Sequence, residues 1–173
     1  MKNQYDQKWL DQATVIALGC SLPGSYPSRE ALLESAIEAL ASEGLAVAAR
    51  SSWWTSAAWP DPTAPAYLNG VVLVETRASA AETLAALHRI EALFGRVRTE
   101  ANAPRTLDLD LIAHGRATTN DGLVVPHPRA QERLFVMGPL AEITPDWRHP
   151  VNGRTAPDLA ANATVGTDAT PVA

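Results

Sequence analysis

Residues 106–113, Thr-Leu-Asp-Leu-Asp-Leu-Ile-Ala, alternate apolar and polar side chains with a period of two. That period belongs to an extended strand, in which successive side chains leave opposite faces. Read as a strand, the segment sends Leu107, Leu109 and Leu111 into a core and turns Asp108 and Asp110 to the other face. The chain therefore has to build a sheet that packs on one side and holds two acids together on the other. Two like charges on one strand face repel unless something positive lies between them.

The rest of the chain supplies the partners for that strand. Residues 14–19 (TVIALG) read as a buried strand, and Ser28 as the cap of a helix running to about Ser42. Residues 45–54 read as a second strand, 55–66 as a proline- and alanine-rich loop, and 67–76 as a third strand. Ser79 and Glu82 form a capping box for a helix over 80–94, followed by a polar loop over 96–104. Strand, helix, strand, strand, helix, strand is the order of the ferredoxin-like α+β sandwich, an antiparallel sheet with helices on one face. Extra C-terminal elements follow: an edge strand over 121–126 and a helical segment over 135–143 that Gly138 and Pro139 weaken. The expected organisation is one domain over 14–150, an N-terminal extension over 1–13, and a largely irregular tail over 151–173. Beyond Ala161 the tail has small residues, little to bury, and is expected to be mobile.

Charge narrows the function classes. Net charge is −5, which disfavours general nucleic-acid and anionic-membrane binding. No apolar run approaches the ~20 residues of a membrane span. The N-terminus is polar, and Cys20 is the single cysteine, so a reduced cytoplasmic location is expected. Lys2 and Lys8 are the only lysines, and seven of the 14 basic residues are arginines within 89–133. Arginine suits forked recognition of phosphate or carboxylate. There is no Walker pattern and no lysine beyond Lys8, which excludes a P-loop site.

The chemistry-bearing residues each admit two readings. Asp108 and Asp110 are either two solvated acids or a seat for a hard divalent cation, which takes one or two carboxylates and completes its shell with phosphate oxygens. Arg96, Arg98, Arg105, Arg129 and Arg133 are either surface ion-pair partners or a phosphate clamp around that cation. His127, held between prolines, is either structural or aimed at a phosphate. Tyr67 and Asn69 share a strand face, which is either a solvated face or one edge of a site for a flat heterocycle. Trp53, Trp54, Trp59 and Phe135 are either core or stacking residues. Cys20 has no assignable partner as a nucleophile.

Six segments in order give the chain a family resemblance. They are Ala-Leu-Gly at 17–19, Tyr-Leu-Asn at 67–69, Arg-Ile-Glu at 89–91 with Gly-Arg-Val-Arg at 95–98, Pro-Arg-Thr-Leu-Asp-Leu-Asp-Leu-Ile at 104–112, Val-Pro-His-Pro at 125–128, and Arg-Leu-Phe-Val-Met-Gly-Pro-Leu-Ala-Glu-Ile at 133–143. From about Thr14 to Pro150 the chain resembles the 6-hydroxymethyl-7,8-dihydropterin pyrophosphokinases of folate biosynthesis. The resemblance implies transfer of pyrophosphate from ATP to the pterin hydroxymethyl group, with release of AMP. It implies two magnesium ions on Asp108 and Asp110, and catalytic roles for Arg96, Arg98 and Arg105. Arg96, Arg105, His127 and Arg133 would contact ATP. Gly19, Ser56, Ala57, Trp59, Tyr67, Asn69 and Phe135 would surround the pterin, with Glu91 supporting the site. A monomer that binds neither nucleic acid nor membrane is expected. Three places depart from the family pattern: Cys20-Ser21 after the first strand, Ala101-Asn102 in the loop before Arg105, and Pro128 after the histidine. Two other readings compete: a different two-metal phosphoryl or nucleotidyl transferase, and a non-catalytic ferredoxin-like ligand-binding module.

Overall fold

The computed structural model describes residues 4–95 and 106–172. A short turn, α1 (Gln7–Leu10), leads into β1 (Thr14–Cys20), every residue of which is buried. α2 (Arg29–Ser42) starts where Ser28 Oγ accepts the Ala31 N–H at 3.0 Å. β2 (Ala46–Arg50) and β3 (Trp54–Ser56) follow, then β4 (Tyr67–Glu75). α3 (Ala80–Leu93) opens on the expected capping box: Ser79 Oγ accepts the Glu82 N–H at 3.1 Å, and Glu82 Oε2 accepts the Ser79 N–H at 2.8 Å. β5 (Asp108–His114) is the aspartate strand. β6 (Thr119–Asn120) and β7 (Val124–Val125) pair only with each other, so the edge strand expected over 121–126 belongs to a separate small hairpin. α4 (Leu134–Ile143), α5 (Ala156–Ala161) and β8 (Thr170–Pro171) complete the order.

The main sheet is antiparallel, ordered β5-β1-β4-β3-β8, with β2 also on β4. This is the ferredoxin-like α+β arrangement. β1 is central because it pairs with both β4 and β5, which is why all of its residues are apolar, small or buried. The strand expected over 45–54 is two pieces. Ser51 Oγ takes the Val71 N–H at 3.0 Å, and Trp53 lies against Gly70, where an added Cβ would meet the indole at 2.5 Å. Pairing then resumes at Trp54, so Thr55 and Ser56 belong to the sheet and not to the loop.

Helices cover both faces, not one. Leu32, Leu33, Leu40, Leu87 and Ile90 of α2 and α3 pack on Ile16, Leu18, Leu107, Leu109 and Leu111. Each such side chain contributes roughly 1.5–3 kcal/mol on full burial. On the opposite face, Val136, Met137 and Leu140 of α4 and Leu159 of α5 pack on Val15, Val71, Leu73 and Ile112. Gly138 makes the helix approach possible, since an added Cβ would come within 2.6 Å of Trp54. This second layer covers only part of its face, and a cavity lies beyond the N-terminal end of α4.

The chain beyond Ala161 does find something to bury, which corrects the expectation for the tail. Thr164 and Val165 both donate N–H to Glu132 O, at 3.0 and 2.9 Å, and Val165 O accepts the Leu134 N–H at 2.9 Å. β8 then pairs with β3, and Ala169 is buried beneath it. A two-residue strand has no periodicity to read, and it is paired by tertiary context.

Candidate active site

Sheet register assembles the site before any loop does. Gly19 of β1 is paired with Asn69 of β4 on one side and Asp108 of β5 on the other. One step along, Ala17 stands between Val71 and Asp110. Two small residues therefore form a floor between the asparagine and the two aspartates. With strands ~4.8 Å apart, Asn69 and Asp108 are separated by about 10 Å across that floor. Gly19 has to be small, because an added Cβ would sit 3.1 Å from Asn69 Oδ1.

The cavity over this floor has a volume of about 410 Å³. Gly19, Ser56, Ala57, Trp59, Tyr67, Asn69, Asp108, Asp110, Arg133 and Phe135 all line it. Asn69 is buried, and its Nδ2 donates to Ser56 Oγ at 3.0 Å. That bond fixes the amide's orientation along the wall. Arg133 stands at the start of α4, its guanidinium 5.8 Å from the Phe135 ring. Trp59 is 76% exposed at the mouth, so it is not a core residue.

Glu91 lies behind the aspartate strand, on the opposite face of the sheet. It is buried, and its Oε2 accepts the Leu109 N–H at 3.0 Å. Leu109 is the residue between the two aspartates, so α3 braces the strand at its functional point. His127 borders a neighbouring groove of about 520 Å³, not the cavity. Its backbone N–H donates to Ile112 O at 2.8 Å, and its Nδ1 accepts the Arg129 N–H at 3.2 Å. With Nδ1 accepting, the neutral ring carries its proton on Nε2. Burial, reinforced by Arg133 and Arg129 against the opposing pull of Asp108, holds the imidazole below the usual histidine range. Arg96, Arg98 and Arg105 lie outside the described residues. So do Ala101 and Asn102.

Cys20 points away from the cavity into the α2–α3 core, and burial pushes its thiol up to about 12. A thiol so suppressed is a poor nucleophile. Sequence reasoning missed Val165, Gly166 and Asp168, which line the cavity from the tail. The segment's only signal was a Gly-x-Asp turn composition, which does not say what a tail packs against.

A family model described as 7,8-dihydro-6-hydroxymethylpterin-pyrophosphokinase (HPPK) matches residues 15–145. The chain is 47% identical over 125 residues to the 2-amino-4-hydroxy-6-hydroxymethyldihydropteridine pyrophosphokinase of Synechocystis sp., covering 71% of this chain and 64% of that protein. It is 38% identical over 127 residues to the protein of the same name from Methylorubrum extorquens, covering 72% of this chain and 80% of that one. In fold it is similar to the wild-type HPPK-DHPS of Plasmodium falciparum solved with pteroate. The TM-score there is 0.67 at 12% identity, over 86% of this chain and 42% of that one.

Proposed function

Because the chain belongs to the 7,8-dihydro-6-hydroxymethylpterin-pyrophosphokinase family, we propose that it transfers diphosphate from ATP to the hydroxymethyl group of 6-hydroxymethyl-7,8-dihydropterin, releasing AMP. The observation that carries this reading is the row Asn69–Gly19–Asp108 across three paired strands. It sets a hydrogen-bonding wall suited to a flat heterocycle and a pair of carboxylates on the floor of one cavity.

In this reading Asn69 and Ser56 hold the edge of the pterin, and Phe135 and Tyr67 pack on its faces. A reduced pterin seated there directs its hydroxymethyl arm along Gly19 towards the aspartates. Asp108 and Asp110 are hard oxygen donors about two residue rises, roughly 7 Å, apart at the backbone, which fits them to hold magnesium. When bound with ATP, two magnesium ions supply charge neutralisation on the phosphate oxygens. Arg133, with Arg96, Arg98 and Arg105, adds positive charge where the AMP oxygen departs. His127, whose Nδ1 accepts from Arg129 and whose neutral ring carries its proton on Nε2, would donate to a phosphate oxygen that reaches the neighbouring groove. The substrate hydroxyl attacks the β-phosphorus in line, the bond to the α-phosphate oxygen breaks, and the hydroxyl proton is lost to solvent. Positioning carries most of the rate, since two held reactants make the step effectively unimolecular. The reading extends to a cytoplasmic monomer that binds neither nucleic acid nor membrane. Among the described residues no helix is long and apolar enough to cross a membrane.

The test is pterin-dependent AMP release by Asp108→Asn and Asp110→Asn. Each is expected to lose at least ~10² in turnover, the scale of one transition-state electrostatic contact. Thermal melts without ligand distinguish lost chemistry from a lost fold. Near-normal turnover in either variant would overturn the metal assignment.

A further inference from the structure

The family match stops at residue 145, yet Val165, Gly166 and Asp168 form part of the cavity wall. Residues 164–172 cross the site as a strap fixed at both ends. One end is held on Glu132 and Leu134, next to the start of α4. The other is held by β8 on β3 and by the Val172 N–H, which donates to Trp53 O at 2.8 Å.

Between these anchors the strap touches both halves of the heterocycle wall. Gly166 has φ +64, a left-handed conformation that favours glycine, and lies so close to Phe135 that a Cβ there would overlap the ring. Asp168 Oδ2 accepts the Ala57 N–H at 2.6 Å. Ala57 is the first residue past β3, where sheet pairing to β4 ends. The strand before it carries Ser56, whose hydroxyl accepts from Asn69. A single carboxylate thus continues the support of this strand by one residue, at the point where the wall would otherwise turn into free loop.

We propose that Asp168 is a positioning residue for the pterin pocket, holding the Ser56–Ala57 wall in place through the Ala57 N–H. The proposal rests on the pterin-binding reading above. It makes the C-terminal strap part of substrate recognition, through a contact at the pterin end of the cavity. The bond is charge-assisted but exposed, so its effect on binding is modest.

The experiment is calorimetric titration of the full chain with 6-hydroxymethyl-7,8-dihydropterin, in the presence of magnesium and a non-hydrolysable ATP analogue. Wild-type protein comes first, and failure of wild type to bind the pterin defeats the proposed function itself. Given wild-type binding, Asp168→Ala is expected to weaken pterin affinity about five- to ten-fold, the scale of one ordinary intramolecular hydrogen bond. Affinity for the ATP analogue should stay within about two-fold, and Asp168→Asn should recover most of the pterin affinity, because an amide oxygen still accepts from a backbone N–H. Unchanged pterin affinity in Asp168→Ala overturns the proposal. So does an Asn variant as weak as the Ala variant, which would make the charge and not the contact matter. If Asp168→Ala does not fold, hydrogen exchange at the Ala57 amide decides. Exchange of the Ala57 amide in wild type well below the rate of an open loop supports a held amide, and exchange at the open-loop rate overturns it.

Discussion

Glu91→Ala removes the link between α3 and the aspartate strand. Glu91 is 2% exposed, and its Oε2 accepts the Leu109 N–H at 3.0 Å. β5 is the outer strand of the main sheet, so a backbone N–H facing away from β1 has no strand to meet. Truncation leaves that N–H buried without its acceptor. A hydrogen bond to a charged group contributes about 1.5–3 kcal/mol, most of it the cost of the stranded partner. The emptied side-chain volume adds roughly 1 kcal/mol. Removing a buried carboxylate also relieves its own desolvation, which offsets part of this loss. A net loss of about 2 kcal/mol results, and for a chain of this size each kcal/mol lowers the melting temperature by roughly 2–4 °C. A fall of about 4–8 °C is therefore expected in thermal melts without ligand. Glu91→Gln keeps an oxygen acceptor and should lose less. Turnover should fall with the Ala change, because Asp108 and Asp110 flank the unbraced residue, while pterin affinity should hold. An unchanged melting temperature for Glu91→Ala would refute the brace.

Two further outcomes follow from the same geometry. Asn69→Ala is expected to weaken pterin binding at least about tenfold by calorimetry, with ATP-analogue affinity nearly intact, since one polar wall contact is lost; equal losses for both ligands would place the pterin elsewhere. His127 and His149 are both held below the ordinary histidine range, chiefly by burial, with Arg133 also acting on His127 and Arg116 on His149. A depressed folded value means stability is fully present above the unfolded value of ~6.5 and is lost as pH falls through it, so melts should drop between about pH 7 and pH 5, and less steeply in His149→Gln, where only His127 remains; a pH-independent melt in wild type would contradict the burial of these rings.

What was legible in the sequence was whatever a local period encodes. The Leu-Asp-Leu-Asp alternation gave the two-faced strand, and Ser28, Ser79 and Glu82 gave helix starts that the hydrogen bonds realise. The clustering of Tyr67, Asn69, Asp108 and Asp110 in one cavity followed from strand pairing, which a single chain reveals only through element order. Three things were not legible. The break at Ser51–Trp53 depends on how Trp53 fits over Gly70, a packing fact with no periodic trace. The helix over 135–143 was legible despite Gly138 and Pro139, but its packing on the second face of the sheet was not, because that depends on the close contact Gly138 allows with Trp54. The strap was read as a loose tail because it is held by backbone bonds to Glu132, Leu134 and Trp53 and by the one carboxylate of Asp168, with little apolar side-chain area to read.

The decisive measurement is product identity. The protein is incubated with magnesium, ATP and 6-hydroxymethyl-7,8-dihydropterin, and the phosphorus products are resolved by NMR or chromatography. A cavity that aligns the pterin arm with the β-phosphorus must yield AMP and a pterin diphosphate in equal amounts, both dependent on the pterin. ADP with a pterin monophosphate would mean attack at the γ-phosphorus, and nucleotide hydrolysis unaffected by the pterin would mean that the Asn69 wall does not hold the acceptor. Either result would contradict the site as described.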